Sequence, residues 1–289
     1  MTIDLGTLGA HLRDHQATPD GARELERAGY GTLWLDASPP ADLAQAEELL
    51  DATTRLVVGT SIVNAWTAEA GTVAASFHRI EAAHPGRFLL GVGIGHREVH
   101  TEYASPHAKL TSYVDALTAA GVPAERIVLA ALGPRMLRLA RDRTAGTVPC
   151  MVTPDHTRQA RALLGPGKLV LPGHFALLET DAARARALAR SQPPGAALRV
   201  TNYAAALRRL GFTDEDLAGS GSDRLIDALV AYGEPATVVA GLRAHLEAGA
   251  DQVGVYPVGD DPIATLTTIG EAMRTRPASS AGFRRNLAG

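Results

Sequence analysis

The run Phe88-Leu-Leu-Gly91-Val-Gly93-Ile-Gly95-His96 decides how the chain is read, as a short apolar segment that closes on three alternating glycines. Taken alone it invites a dinucleotide-binding fold, in which a glycine-rich turn delivers a pyrophosphate to a helix start. The spacing refuses this reading, because His96 stands where the third glycine of GxGxxG belongs. The run is also the fourth β-rich segment of the chain, not the first. In a barrel, glycines at a strand's end instead let a flat ligand lie against the backbone.

Outward from that run, β-rich segments alternate with amphipathic ones along nearly the whole chain. Strands are predicted at residues 3–8, 32–35, 56–62, 88–92, 127–130, 147–152, 169–171 or 176–178, and 252–256. Helices are predicted at 20–28, 41–52, 68–83, 112–120, 135–143, 155–164 and 237–248. Thr153-Pro154 has the form of a cap followed by proline at the first helical position. Gly29, Gly121 and Gly249 each suit a left-handed helix end. Eight strand–helix alternations favour an α/β fold with a parallel sheet closed into a (βα)8 TIM barrel; a doubly wound open sheet is the runner-up. No linker or repeat interrupts the chain, so 1–289 is expected to be a single domain. The alternation breaks once, in a helical insertion at about 193–232 that reads equally as a lid, a dimer element or extra packing.

Composition narrows the function classes. A net charge of −3 supplies no bulk field for nucleic acid or an anionic membrane. With Cys150 as its sole cysteine, the chain forms no intrachain disulfide and no four-thiolate zinc site. No apolar stretch approaches the roughly 20 residues that span a bilayer. The opening Met1-Thr-Ile-Asp-Leu-Gly lacks the basic start and apolar run of a signal peptide. Cytoplasm is the expected compartment.

Two motifs carry candidate chemistry. In Ala130-Ala-Leu-Gly133-Pro134-Arg135-Met136 a strand ends, glycine turns and proline opens a helix. The free amides and positive dipole end of that helix suit a phosphate, and Arg135 adds a guanidinium; a plain βα turn is the competing reading. His96 and His100 lie four apart, but no third ligand accompanies them, so no metal is expected.

Three segments taken together, Gly59-Thr-Ser-Ile-Val-Asn64-Ala-Trp66, His84-Pro-Gly-Arg87 through His96, and Ala131-Leu-Gly-Pro-Arg-Met136, resemble the luciferase-like monooxygenase superfamily, and within it the F420-dependent oxidoreductases. The later blocks Asn202-Tyr203, Gly211-Phe-Thr-Asp-Glu-Asp216, Ser222 to Leu229 and Ala248-Gly-Ala-Asp-Gln-Val253 extend the likeness over essentially the whole chain. The resemblance implies a deazaflavin, coenzyme F420, lying across the carboxyl ends of the strands, with FMN as the alternative cofactor. It implies a bulge with a non-proline cis peptide at Ser61–Ile62 beneath the ring. Asp36 and Asn64 match positions near that ring, Ile94 and Gly95 match backbone contacts, and Leu132, Gly133, Arg135 and Met136 match a phosphate cradle. His96 falls where related enzymes carry a proton donor, and an imidazole there suits proton transfer. The implied function is hydride transfer between F420 and a small organic substrate. A reduced-FMN monooxygenase is the alternative, and a non-catalytic flavin or deazaflavin binder the third reading. A homodimer is implied as well.

The sequence departs from its sugar-phosphate-oxidising relatives, which carry a histidine directly after the aspartate of strand two; here Asp36 is followed by Ala37-Ser38. That reaction is therefore not expected. Trp34 and Cys150 read as core residues, Trp66 as core or cavity lining, and His174 has no assigned role.

Overall fold

The computed structural model describes residues 3–95 and 105–275. Its strands are β1 (Leu8–Arg13), β2 (Thr32–Asp36), β3 (Val57–Ser61), β4 (Val63–Asn64), β5 (Phe88–Gly93), β6 (Ile127–Leu129), β7 (Gly146–Thr147), β8 (Leu169–Val170), β9 (Gly173–Leu177), β10 (Val230–Tyr232) and β11 (Val253–Pro257). Every pairing is parallel, and β11, β1, β2, β3, β5, β6, β7 and β8 follow one another around the sheet. β8 and β9 are two halves of one run broken at Leu171-Pro172. On one side of it Leu171 N bonds Thr147 O (2.9 Å) and Gly173 N bonds Pro149 O (2.8 Å). On the other, Asp251 N bonds Val170 O (3.0 Å) and Gly254 N bonds Pro172 O (2.8 Å). The ring closes there, which excludes the open doubly wound sheet and leaves the TIM barrel.

Around the ring lie α1 (Pro19–Ala28), α2 (Ala44–Ala52), α3 (Ala70–Ala83), α4 (Pro106–Ala119), α5 (Pro134–Arg143) and α6 (Pro154–Leu164). The insertion, expected at about 193–232, begins earlier, with α7 (Ala182–Ser191), and continues through α8 (Pro193–Ala197), α9 (Thr201–Arg209), α10 (Asp214–Leu217) and α11 (Asp223–Leu229). α12 (Pro235–Glu247) and α13 (Pro262–Arg274) complete the circuit. Local chemistry sets the ends. Thr18 Oγ1 accepts from Gly21 N at the start of α1, and Gly29, at φ 98°, ends it. β10, at the close of the insertion, pairs with β9.

Two predicted strands are corrected. The first lies at Leu8–Arg13, not 3–8. Leu5 instead plugs the barrel bottom, where its carbonyl accepts from Thr32 Oγ1 (3.0 Å) and from Gln252 Nε2. The sixth is only Gly146–Thr147, because Pro149 cannot donate to a ladder and Met151 turns left-handed at φ 59°.

The interior is fitted by matching large side chains to glycines. A Cβ on Gly59 would fall 2.5 Å from the Trp34 ring, one on Gly254 would fall 2.3 Å from His11 Nε2, and one on Gly173 would fall 2.3 Å from Tyr256. Trp34, His11 and Tyr256 stack upward through the barrel, with centroids 5.9 Å and 3.9 Å apart. At the bottom Trp34 Nε1 donates to Gln252 Oε1 (2.9 Å), and Gln252 Nε2 donates to Thr32 Oγ1 (2.9 Å).

β3 and β4 carry a bulge. Gly59 pairs with Leu89, yet Val63 pairs with Val92, so one extra residue is taken up between them. Thr60 fills the broken ladder with its side chain: its hydroxyl accepts from Gly91 N (2.9 Å) and donates to Gly91 O (2.8 Å). Gly91 is required for this approach, since a Cβ there would lie 1.9 Å from Thr60 O. The Ser61–Ile62 peptide in the bulge is cis.

Candidate functional site

A cavity of about 1070 Å³ opens at the carboxyl ends of the strands, where enzymes of this architecture carry their sites. Asp36, Ser61, Ile62, Ile94, Gly95, Leu132, Gly133 and Met136 line it, so the bulge and the first turn of α5 share one space. Asn64 is buried and is not among the lining residues; its Oδ1 accepts from Trp66 N (3.0 Å). Arg135 is exposed and is also absent from the lining. Trp66 likewise stays off the wall, with Lys109 Nζ 5.0 Å from its ring. His96 and His100 lie outside the described residues. Among the described residues no group of three or more His, Cys, Asp or Glu is placed to hold a metal ion.

The anion end is built by backbone. α5 starts at Gly133, which offers no side-chain cap, so the amides of its first turn are left for another acceptor. The guanidinium beside it is Arg209, not Arg135: Arg209 Nη2 lies 3.4 Å from where a Gly133 Cβ would stand. Arg209 comes from α9, and Gln192, Ala196, Ala197, Val200, Asn202, Tyr203 and Ala205 from the same insertion also line the cavity. The extra block is thus a wall of the site. Asn202-Tyr203 was legible as a sequence feature, but nothing in the sequence showed that this block lines the cavity or that its Arg209 meets Gly133.

The floor was missed in the sequence. His11 is 2% exposed and lines the cavity, and neither of its ring nitrogens has a hydrogen-bond partner. Burial lowers its pKa to about 3, so the imidazole is neutral. Tyr256 Oη stands 3.4 Å from Ser61 Oγ, and burial pushes the phenol well above its ordinary range. Burial, aided by the nearby Asp36 charge, raises the Cys150 thiol to about 12, which leaves it protonated and unreactive as a nucleophile. Asp36 is the only carboxyl among the described lining residues, and burial raises its pKa to about 6 against the Ala37 amide and Arg13, which favour its charge.

Behind the floor, His174 and His245 form a buried chain. Thr157 Oγ1 lies 2.8 Å from His245 Nδ1, and His245 Nε2 lies 3.1 Å from His174 Nδ1. Because the His174 ring bonds the Val152 backbone, it fixes the turn that carries Cys150 and Met151. Burial depresses both rings, to about 4 for His174 and about 2 for His245, so the chain carries no charge near neutrality.

The luciferase-like monooxygenase family matches residues 4–252, more than half of the chain. The chain belongs to that family. No curated protein matches it. Among solved structures, this luciferase-like chain is similar to an F420-dependent secondary alcohol dehydrogenase in complex with an F420–acetone adduct (15% identity, TM-score 0.71, covering 93% of this chain and 99% of that one). It is similar to the F420-dependent tetrahydromethanopterin reductase of Methanopyrus kandleri (16%, 0.66, 92% and 97%). It is also similar to the oxygenating constituent of 3,6-diketocamphane monooxygenase of Pseudomonas putida, in complex with FMN (14%, 0.65, 93% and 98%). At these identities the likeness is one of fold. The family is one of oxidoreductases and monooxygenases acting on small molecules. No helix among the described residues is long and apolar enough to cross a membrane.

Proposed function

We propose that the chain is an F420-dependent oxidoreductase that moves a hydride between the deazaflavin and a small organic substrate. The observation that carries this reading is one cavity joining the Ser61–Ile62 bulge to the uncapped start of α5. A flat ring suits the bulge, where Ser61 and Gly95 offer backbone and little side chain and Ile62 and Ile94 offer apolar surface. A phosphate suits the amides of Arg135 and Met136 together with the Arg209 guanidinium, since a Cβ at Gly133 would intrude on that corner. When bound, the cofactor supplies the hydride chemistry; the protein supplies orientation and exclusion of water. The segment likeness quoted above favours F420 over FMN, and the cradle accepts the phosphate of either. His96 belongs to this proposal as a sequence-based candidate for proton transfer, and the homodimer rests on the resemblance.

Equilibrium binding of purified F420 and FMN tests the reading. F420 is expected to bind at micromolar concentration or below, with FMN weaker. Micromolar FMN with no F420 binding replaces it with the monooxygenase, and cofactor binding without turnover across substrate panels replaces it with a carrier. Within the cradle, Arg209→Gln is expected to weaken binding of the phosphate-bearing cofactor about 10–100-fold, the loss of a charge-assisted hydrogen bond. Arg135→Gln is expected to change it little, because its side chain lies off the wall.

A further inference from the structure

Resting on the reading that a redox ring occupies this cavity, we propose that Asp36 is the acid–base group of the site, exchanging a proton with the substrate oxygen as the adjacent carbon gains or loses hydride. Three observations place it there. In register, Arg13, Asp36 and Ser61 form one row across β1, β2 and β3, so Asp36 stands beside the Ser61–Ile62 bulge. It is the only carboxyl among the described residues that line the cavity. The chain is held in left-handed backbone directly after it, at Ala37 (φ 63°) and Ser38 (φ 61°), and again at Met151 (φ 59°), all three on the cavity wall. Non-glycine residues adopt such angles only where surrounding structure enforces them, and such outliers gather at working sites.

The surroundings suit a group that must hold and release a proton. Arg13 from β1, Cys150 and Tyr256 interact with it by charge, as does Tyr203 from α9, and His11 lines the same floor. Of these only Arg13 is charged at neutrality. The phenols and the thiol are pushed upward and the His11 imidazole downward, so none of these four titrates between pH 5 and 8, where Asp36 does. His15, which also lines the cavity, stands exposed beside Asp14 (3.3 Å), and His15→Gln is expected to leave the pH profile in place. An acid–base group works best when its pKa lies near the operating pH.

The step balances for a carbonyl–alcohol pair. In reduction, a hydride carries its electron pair from the reduced dihydro cofactor to the carbonyl carbon and forms the C–H bond. The π pair of C=O moves to oxygen, which takes the proton from the Asp36 carboxyl as its O–H bond breaks. The cofactor is oxidised and the ketone is reduced to a secondary alcohol. Solvent reprotonates the carboxylate, and oxidation runs the same path in reverse.

The test compares wild type with Asp36→Asn in two measurements. In single turnover with reduced F420 and simple ketones such as acetone and cyclohexanone, the wild-type rate is expected to fall as pH rises through about 6. Asp36→Asn is expected to be about 10²–10⁴-fold slower, with a flat profile. Without cofactor, the wild type is expected to lose thermal stability relative to Asp36→Asn as pH rises from about 4 to about 6, where the folded carboxyl ionises after the unfolded one, and to run parallel to it above. That second measurement also shows that the variant folds. A variant that binds F420 and keeps the wild-type rate and pH profile overturns the assignment while leaving the cofactor reading in place. A profile abolished by His96→Gln and not by Asp36→Asn transfers the role to His96. Failure of the wild type to bind F420 or FMN overturns both readings.

Discussion

Two layers of the barrel interior, about one side chain apart, handle buried polar groups in opposite ways. In the lower layer Gln252 is fully buried, but its amide is saturated by Trp34, Thr32 and the Leu5 carbonyl. In the upper layer His11 is equally buried and has no protein partner for either ring nitrogen, while Asp36 is half-buried on the cavity wall with its pKa raised. A polar group buried without a partner costs about 1–3 kcal/mol, so a fold tolerates it chiefly where a ligand will complete it. The lower layer stabilises the barrel. The upper layer leaves its valences open to the cavity.

The largest expected break of this contrast is Trp34→Ala. It empties the centre of the lower layer and strands Gln252 Oε1, and a loss of about 3–5 kcal/mol is expected in urea unfolding. The next is pH. His11, His174 and His245 have folded pKa values near 3, 4 and 2 against 6.5 unfolded, so the unfolded chain binds protons first as pH falls. Their stabilisation is present above 6.5 and is lost below it, by roughly 3 kcal/mol in total across the first pH unit. Asp36 runs the other way, because its folded pKa is raised: the cost of its charge is present above about 6 and is relieved below, returning a smaller part. Unfolding midpoints recorded across that range check the sign, and stability that stays flat from pH 7 to 5 would contradict the buried neutral rings.

The two polar layers are then separated by a matched pair of substitutions. Gln252→Leu is expected to cost about 2–3 kcal/mol, since it leaves Trp34 Nε1 without a partner and takes one of two donors from the Leu5 carbonyl. His11→Leu is expected to be neutral or stabilising by about 1 kcal/mol, because it removes unsatisfied nitrogens. The same variant is expected to weaken ligand binding in the cavity. Equal losses from both substitutions would erase the distinction.

The sequence itself shows why the lower layer was easier to read. Apolar and β-branched runs such as Phe88–Gly93 mark strands that are buried on both faces, and β5 lies where it was predicted. β1 was displaced by several residues because its inner face carries His11 and Arg13, which open into the cavity and do not read as strand. Of the predicted site, the α5 turn was legible because it is a local backbone device with glycine and proline at fixed places, whereas the bulge at Ser61–Ile62 came only through the family resemblance. The guanidinium at that turn was assigned to Arg135, its nearest neighbour in sequence, whereas Arg209 reaches the turn from a helix more than sixty residues away.

By itself the sequence determined the alternation of strands and helices, the glycine-ended helices and the α5 turn, all of which depend on contacts within a few residues, and the family likeness through which the bulge was expected. Thr153, at the start of α6, makes no side-chain cap bond. Only the tertiary structure decided that the ring closes through the Leu171-Pro172 break, that the insertion walls the cavity, and that His11, Asp36, Cys150, Tyr203 and Tyr256 converge on one floor. Those outcomes depend on register and burial between residues distant in the chain, and it is burial, not residue type, that sets which of these side chains is charged.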